Sequence, residues 1–259
     1  MSTPETIPES SFVKFLFILG VFIACVIVIQ VFIKLVPMLF STNSPYLIKG
    51  LISGNTPIVI SQDPNTQGSV PLTRSDNKEG IEFSWSVWLN ITDVESSSNQ
   101  YKHIFNKGEQ NIDVDSGINS PNNAPGLYLS PNTNEIVVIM NTFHVINEEI
   151  KIPNFPMNKW VHVIIRVMNN ALDVYVNGAL AKRHILSSVP KQNYGDVYVA
   201  SNGGFSGNLS NLRYFNYALQ PGDIIGITNG GPNLTVSKLS STTGSSAKPP
   251  YLSFQWYIN

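Results

Sequence analysis

Hydrophobic and polar positions divide the chain into five regions. Residues 1–11 are polar and include Pro4, Glu5, Pro8 and Glu9; an apolar run, FVKFLFILGVFIACVIVIQVFIKLVPMLF, then fills 12–40. Between Phe15 and Ile33 the one strongly polar side chain is Gln30. As a helix that stretch rises roughly 28 Å, close to the hydrocarbon thickness of a bilayer. The apolar side chains of Phe15, Leu16, Ile18, Val21, Ile23, Val26, Val28, Val31 and Ile33 would face lipid. Lys14 and Lys34 bracket the span and can extend to headgroups, and Pro37 is expected to end the helix.

A cleaved signal peptide fits less well. The start is acidic, the apolar core is long, and no small-x-small site follows. A buried soluble helix would show polar residues every third or fourth position, and this run is apolar all round. The expectation is a single-pass membrane anchor over 12–40. Gly20 and Ala24 form a small-xxx-small pair, which a lipid-facing helix also carries by chance. Lys14 before the span against Lys34 and Lys49 after it is too small a difference to set sidedness.

Residues 41–55 read as a linker. From 56 to 230 the pattern changes to short alternating segments separated by Asn, Gly, Pro and Ser clusters. Strands are expected at 57–61, 81–91, 101–107, 126–129, 135–141, 149–152, 160–168, 172–176, 179–185, 196–201 and 207–214. Many short strands without a long helical period predict an all-β, two-sheet antiparallel sandwich. Asn169-Asn170 marks one turn. Asn177-Gly178 suits a type I′ hairpin, because both central residues take positive φ. One helical turn is expected over Leu219–Ile227, opened by Gln220-Pro221-Gly222-Asp223. Residues 231–259 form a Ser/Thr-rich arm with an aromatic end, YLSFQWYIN. That end predicts either a returning strand or an arm that docks on a neighbour, with Tyr251, Phe254, Trp256 and Tyr257 as docking residues.

Composition narrows the function classes. The 259 residues carry 16 Lys+Arg against 17 Asp+Glu, a net charge of −1, with 13% charged. A nucleic-acid binder needs a basic face, so no nucleic-acid partner is expected. The single cysteine, Cys25, excludes an internal disulfide framework and multi-cysteine metal sites. Three sequons, at Asn90, Asn208 and Asn233, occur at about the chance frequency and say nothing about secretion.

Four segments together resemble the laminin G-like, or concanavalin A-like lectin/glucanase, jelly roll. They are Phe83-Ser-Trp-Ser-Val-Trp88-Leu, Asn158-Lys-Trp160-Val-His162-Val, Leu172-Asp-Val-Tyr175-Val-Asn177-Gly178, and Phe205-Ser-Gly207 followed by Asn211 to Leu219 and Asp223-Ile-Ile. Their order and spacing fit over Ile81–Ile227. Asp223 departs from the Glu usual before the Ile. The resemblance implies a face-to-face sandwich, with Trp88, Trp160, His162, Tyr175, Asn177, Gly178, Gly207 and Leu219 as its signature. It implies little about ligand, because this fold hosts lectins, enzymes and structural modules.

Catalysis and metal binding have thin support. The glucanases of this fold use a Glu-x-Asp-x-x-Glu run, which is missing here. Glu148 and Glu149 are adjacent, so in a strand they face opposite ways. The chain is therefore expected not to be an enzyme and to need no cofactor. The nearest calcium loop is Asn111, Asp113 and Asp115, with oxygens at alternate positions. It competes with an exposed strand edge that turns Ile112 and Val114 inward. The histidines at 103, 144, 162 and 184 form no ligand pair, and His162 reads as a packed structural residue. Trp85, Trp88 and Trp160 are expected in the core rather than on a sugar platform. A glycan site would use the loops at 96–100, 119–123 or 202–205.

The reading that follows is a non-enzymatic, membrane-anchored docking module with protein partners in a larger assembly. The Asn-rich, cysteine-poor composition resembles proteins of large DNA viruses that wrap a membrane inside a capsid, where the domain is expected to bridge membrane and shell as a minor structural protein. A membrane-tethered lectin is the alternative, and a glycoside hydrolase the third.

Overall fold

The computed structural model describes residues 11–39, 44–75, 80–95 and 99–238. It divides into two units, 1–42 and 43–259, each considered separately. The first contains α1, Ser11–Leu39, a helix long and apolar enough to cross a membrane. No residue of its Val13–Phe32 window is buried. The anchor side chains from Phe15 to Val31 named above are exposed, and the side chain of Ile33 lies outside the described residues. The helix runs two residues past Pro37, where a stop was expected. A proline forfeits one backbone bond, and a long helix can continue through that loss.

The second unit is a sandwich. The strands are β1 (Leu51–Ser53), β2 (Ile58–Ile60), β3 (Glu82–Asp93), β4 (Lys102–Gly108), β5 (Asn123–Leu129) and β6 (Ile136–Met140). They continue as β7 (Glu148–Ile152), β8 (Val161–Met168), β9 (Ala171–Val176), β10 (Ala179–Ile185), β11 (Asp196–Val199) and β12 (Ser206–Phe215). The first sheet has the order β1-β12-β3-β8-β9-β10, the second β2-β11-β4-β5-β6-β7. Every pairing within them is antiparallel.

Period-2 alternation explains the core. Phe83, Trp85, Val87, Leu89 and Ile91 point inward from β3, and Val161, Val163, Ile165 and Val167 from β8. Ile136, Val138 and Met140 meet them from β6. Trp85 stacks on Phe105 of the opposite sheet at 5.3 Å and meets the edge of Tyr214 at 5.2 Å. The hairpin turn places Asn177 at φ 50° and Gly178 at φ 81°, as a type I′ turn requires.

Both outer faces are partly covered. The helix α2, Pro221–Gly230, packs Ile224 and Ile227 against Ile164, Phe215 and Leu219 of the first sheet. On the second sheet Ile118, from the connection between β4 and β5, covers Tyr128, Val137 and Ile139.

The segment read as a linker belongs to the sandwich from residue 44. Tyr46 bridges Arg213, the Leu47 and Ile48 N–H groups donate to the Leu212 carbonyl, and Leu51–Ser53 pair with β12. Leu47, Ile48 and Ile52 are core residues. The arm also starts on the sheet: Val236 bridges Leu51 in parallel, and Ser237 is buried.

Candidate binding site

Six of the eight signature residues, Trp88, His162, Tyr175, Asn177, Gly178 and Leu219, gather on the outer face of the first sheet beside α2. Alternation along β3 and β8 sends Ser86, Trp88 and His162 away from the core valines. The imidazole of His162 stacks on Trp88 at 4.7 Å. Thr228 donates its hydroxyl proton to the Ile224 carbonyl at 2.7 Å, so its oxygen accepts from His162 Nδ1–H at 2.8 Å. His162 Nε2 is then left to accept from Ser86 Oγ at 2.8 Å. Burial pushes His162 down to about 4, so the ring is neutral near pH 7. Asn177 Oδ1 accepts the His162 backbone N–H at 2.9 Å, tying the hairpin turn to the same point.

A Ser–His pair resembles a nucleophile and its base. Here the residue behind the ring is a threonine, which offers no charge to stabilise an imidazolium. The Ser86–His162–Thr228 bonds clamp α2 to the sheet. Tyr175 and Leu219 pack in the apolar cluster beside it. Gly207 sits at φ 141°, where a methyl group would run into the Asn90 carbonyl. Trp160 departs from expectation. It is half-buried and precedes β8 rather than lying in the core; Trp85 is in the core as expected, whereas Trp88 is buried on the outer face against His162.

A groove of about 300 Å³ opens beside the clamp, lined by Ser86, Trp88, Asn211, Arg213 and Tyr46. Its cation is already engaged. Arg213 donates to Ser44 O and Ser44 Oγ at 3.0 Å and lies 4.6 Å over the rings of Tyr46 and Phe215.

The other buried ionisable groups are also tied. Asp173 is fully buried on β9. It accepts from Arg166 Nη1 at 2.9 Å and from Arg183 Nε at 2.6 Å and Nη2 at 2.8 Å. Burial alone would raise its carboxyl; bonds and charges from the two arginines outweigh this and lower it. Glu148 accepts from Ser187 N and Oγ and meets His184 Nε2 at 2.8 Å, while exposed Glu149 lies 3.8 Å from Lys151. Lys107 donates to the carbonyls of Asn193 and Gly195, and burial lowers it to about 8.

The calcium candidates do not form the expected strand edge. Asp113 Oδ1 accepts from the backbone N–H of Asp115 at 2.8 Å and of Ser116 at 3.3 Å, closing an Asx turn. Val114, expected inward, is 81% exposed, and Asn111 uses its carbonyl to accept from Ser120 N. Among the described residues no three His, Cys, Asp or Glu side chains gather as a metal site.

One expected glycan loop, 119–123, has both of its ends closed off while Pro121 stays exposed. Asn119 and Asn123 are buried in a polar network on the second sheet. Ser201 N–H donates to His103 Nδ1 at 3.0 Å, so Nε2 carries the proton and donates to Asn106 Oδ1 at 2.8 Å. Asn119 Nδ2 also donates to that oxygen, and Tyr128 O–H donates to Asn123 Oδ1 at 2.8 Å. Burial lowers His103 to about 4. The alternation that makes this face polar is visible in the sequence, but its cover of asparagines reads there as loop. Of the other two loops, Phe205 is buried and residues 96–98 lie outside the described residues. Tyr251, Phe254, Trp256 and Tyr257 also lie outside them.

A second, larger groove is lateral. A groove of about 560 Å³ runs between the edge strands β1 and β2. Tyr46, Leu47, Val59, Val70 and Val236 line it, with Val59 53% and Val236 69% exposed. An extended segment already lies along one side, where Leu51 N–H donates to Thr235 O and Ser237 N–H to Leu51 O.

With two antiparallel sheets and the signature cluster in place, the architecture is that of a concanavalin A-like sandwich. The chain belongs to the concanavalin A-like lectin/glucanases superfamily, whose laminin G-type family model matches residues 64–225. No curated protein matches the chain. Among solved structures it is similar to the receptor binding domain of botulinum neurotoxin D, with a TM-score of 0.48 and 16% identity over 72% of this chain and 47% of that one. It is also similar to the binding domain of botulinum neurotoxin DC, solved in complex with rat synaptotagmin II, with a TM-score of 0.43 and 17% identity. That match covers 57% of this chain and 35% of the toxin chain. The chain thus spans less than half the length of these toxin domains.

Proposed function

We propose that the protein is a non-enzymatic, single-pass membrane protein whose sandwich docks an extended protein segment in the lateral groove. The carrying observation is that groove: it is open, lined by apolar side chains with Lys49 and Lys238 among them, and flanked by two sheet edges, one of which already holds residues 235–237 as an added extended segment. Strand addition of this kind draws affinity from main-chain bonds and specificity from side-chain pockets. The exposed apolar surface of α1 supports insertion in a bilayer. A non-catalytic role is supported by the way the buried acids and bases are consumed by structural partners. A finer placement, as a minor structural protein bridging membrane and capsid shell in a large DNA virus, is supported by the Asn-rich, weakly charged composition.

The test is site-specific photo-crosslinking from Val59 in the full chain, in native membranes or particles. The expected result is a crosslink to one identified shell protein, abolished by Val59→Asp at unchanged melting temperature. Failure to crosslink any component of the assembly, together with specific binding on a glycan array or hydrolysis of a glycoside, would replace this reading with a lectin or an enzyme.

A further inference from the structure

The sandwich carries an exposed apolar patch at one end that the lateral groove does not use. Phe143 is 67% exposed, Ile146 59%, Val189 51% and Ile185 59%. These residues lie on two connections, β6 to β7 and β10 to β11, that are fastened together. Thr142 bridges Pro190, Phe143 N–H donates to Val189 O at 3.2 Å, and the hydroxyls of Thr142 and Ser187 lie 3.2 Å apart. Within the first connection Thr142 N–H donates to Val145 O, and Val145 N–H donates back to Thr142 Oγ1. The turn is therefore internally bonded and holds its apolar side chains outward. Residues 142–147 and 185–190 contain no Asp, Glu, Lys or Arg, and exposed Lys191 follows directly.

Strand register locates this end. Ile185 pairs with Ala171, Ala171 with Met168, and Met168 with Glu82. The same end receives the finish of β12, where Phe215 pairs with Ser84. The chain also joins the sandwich there: Tyr214 N–H donates to Pro45 O, and residues 44–53 then run away from this end along β12. From Leu39 to Ser44 an extended chain spans at most about 18 Å.

We propose that this end of the sandwich, through Phe143, Ile146 and Val189, seats on the lipid interface of the membrane that holds the chain. The inference rests on the reading of α1 as a membrane span. An outward apolar cluster, whose adjoining Glu148 carboxylate is turned onto Ser187 and His184, matches the headgroup–acyl boundary, where apolar tips bury and a flanking lysine meets anionic headgroups.

The test uses the full chain with Cys25→Ser, reconstituted in phosphatidylcholine/phosphatidylserine vesicles. An environment-sensitive fluorophore is placed in turn at Phe143→Cys, Ile146→Cys and, at the opposite end, Lys159→Cys. The expected result is blue-shifted emission at 143 and 146, with quenching by nitroxide lipids at least threefold stronger than at 159. Equal quenching at all three positions, with the chain resisting carbonate extraction, overturns the lipid seat alone. Release by carbonate overturns the span and the seat together. Shielding of 143 from aqueous iodide only when a shell protein is added, without lipid quenching, assigns the patch to a protein partner and also overturns the proposal.

Discussion

His162 Nδ1 and the Thr228 hydroxyl meet at 2.8 Å, joining β8 to α2 across 66 positions of sequence. Because Thr228 gives its own proton to Ile224 O, the direction of every bond in the Ser86–His162–Thr228 chain is fixed. Thr228→Val removes the acceptor and leaves a buried N–H unpaired. The expected loss is about 1–3 kcal/mol in urea unfolding, with α2 exchanging amide hydrogens faster than the strands.

Acid should weaken the sandwich through its two buried histidines. His162 and His103 titrate at about 4 in the folded chain against an ordinary 6.5. Above pH 6.5 both states hold the neutral rings and stability is full. As pH falls from 6.5 towards 4, the unfolded chain takes up protons that the native state refuses. Stability therefore drops, by up to roughly 3 kcal/mol per ring. Urea midpoints measured at pH 7, 5.5 and 4.5 check this, and His162→Gln should flatten the slope.

Asp173 and its two arginines should respond unequally. Asp173→Ala leaves Arg166 buried without its partner and should cost about 3–5 kcal/mol. Arg183 is more than half exposed, so Arg183→Ala should cost about 1 kcal/mol or less. Thermal melts of the two variants measure the contrast.

Two glycines should respond with opposite signs. Gly207→Ala forces a methyl against the Asn90 carbonyl at a positive φ and should cost more than about 2 kcal/mol. Gly226 lies in α2 with open space where its Cβ would be, and Gly226→Ala should stabilise by about 0.5–1 kcal/mol. Equilibrium unfolding of both variants tests the sign.

Calcium should leave the sandwich unchanged. The Asp113 carboxylate is engaged by the N–H groups of Asp115 and Ser116. Melting temperatures with excess calcium and with chelator should agree. A rise with calcium would restore Asn111, Asp113 and Asp115 as ligands.

Local pattern made most of the sandwich legible. Eleven of its strands follow alternation or turn chemistry, and Asn177-Gly178 folds as the hairpin its dipeptide requires. β1 escaped because three residues between two glycines carry no period. Its burial comes from β12, which lies far along the chain. Val114 and Trp160 misled for a related reason. Alternation predicts facing only where a strand forms, and an Asx turn and a strand lead-in break it. At the candidate site, His162 was readable as structural from its valine neighbours. The lateral groove was not, since it exists only where residues from 46–49, 59–70 and 233–238 converge.

The antiparallel run of residues 44–53 along β12 has a mechanical consequence. Tension arriving at Ser44 along the strand axis loads the Arg213–Ser44, Tyr214–Pro45 and Leu47–Leu212 bonds side by side, in shear. Bonds pulled in shear share the load and fail together, whereas a zipper opens one bond at a time. The sandwich is thus built to hold firm when pulled along the strand at Ser44.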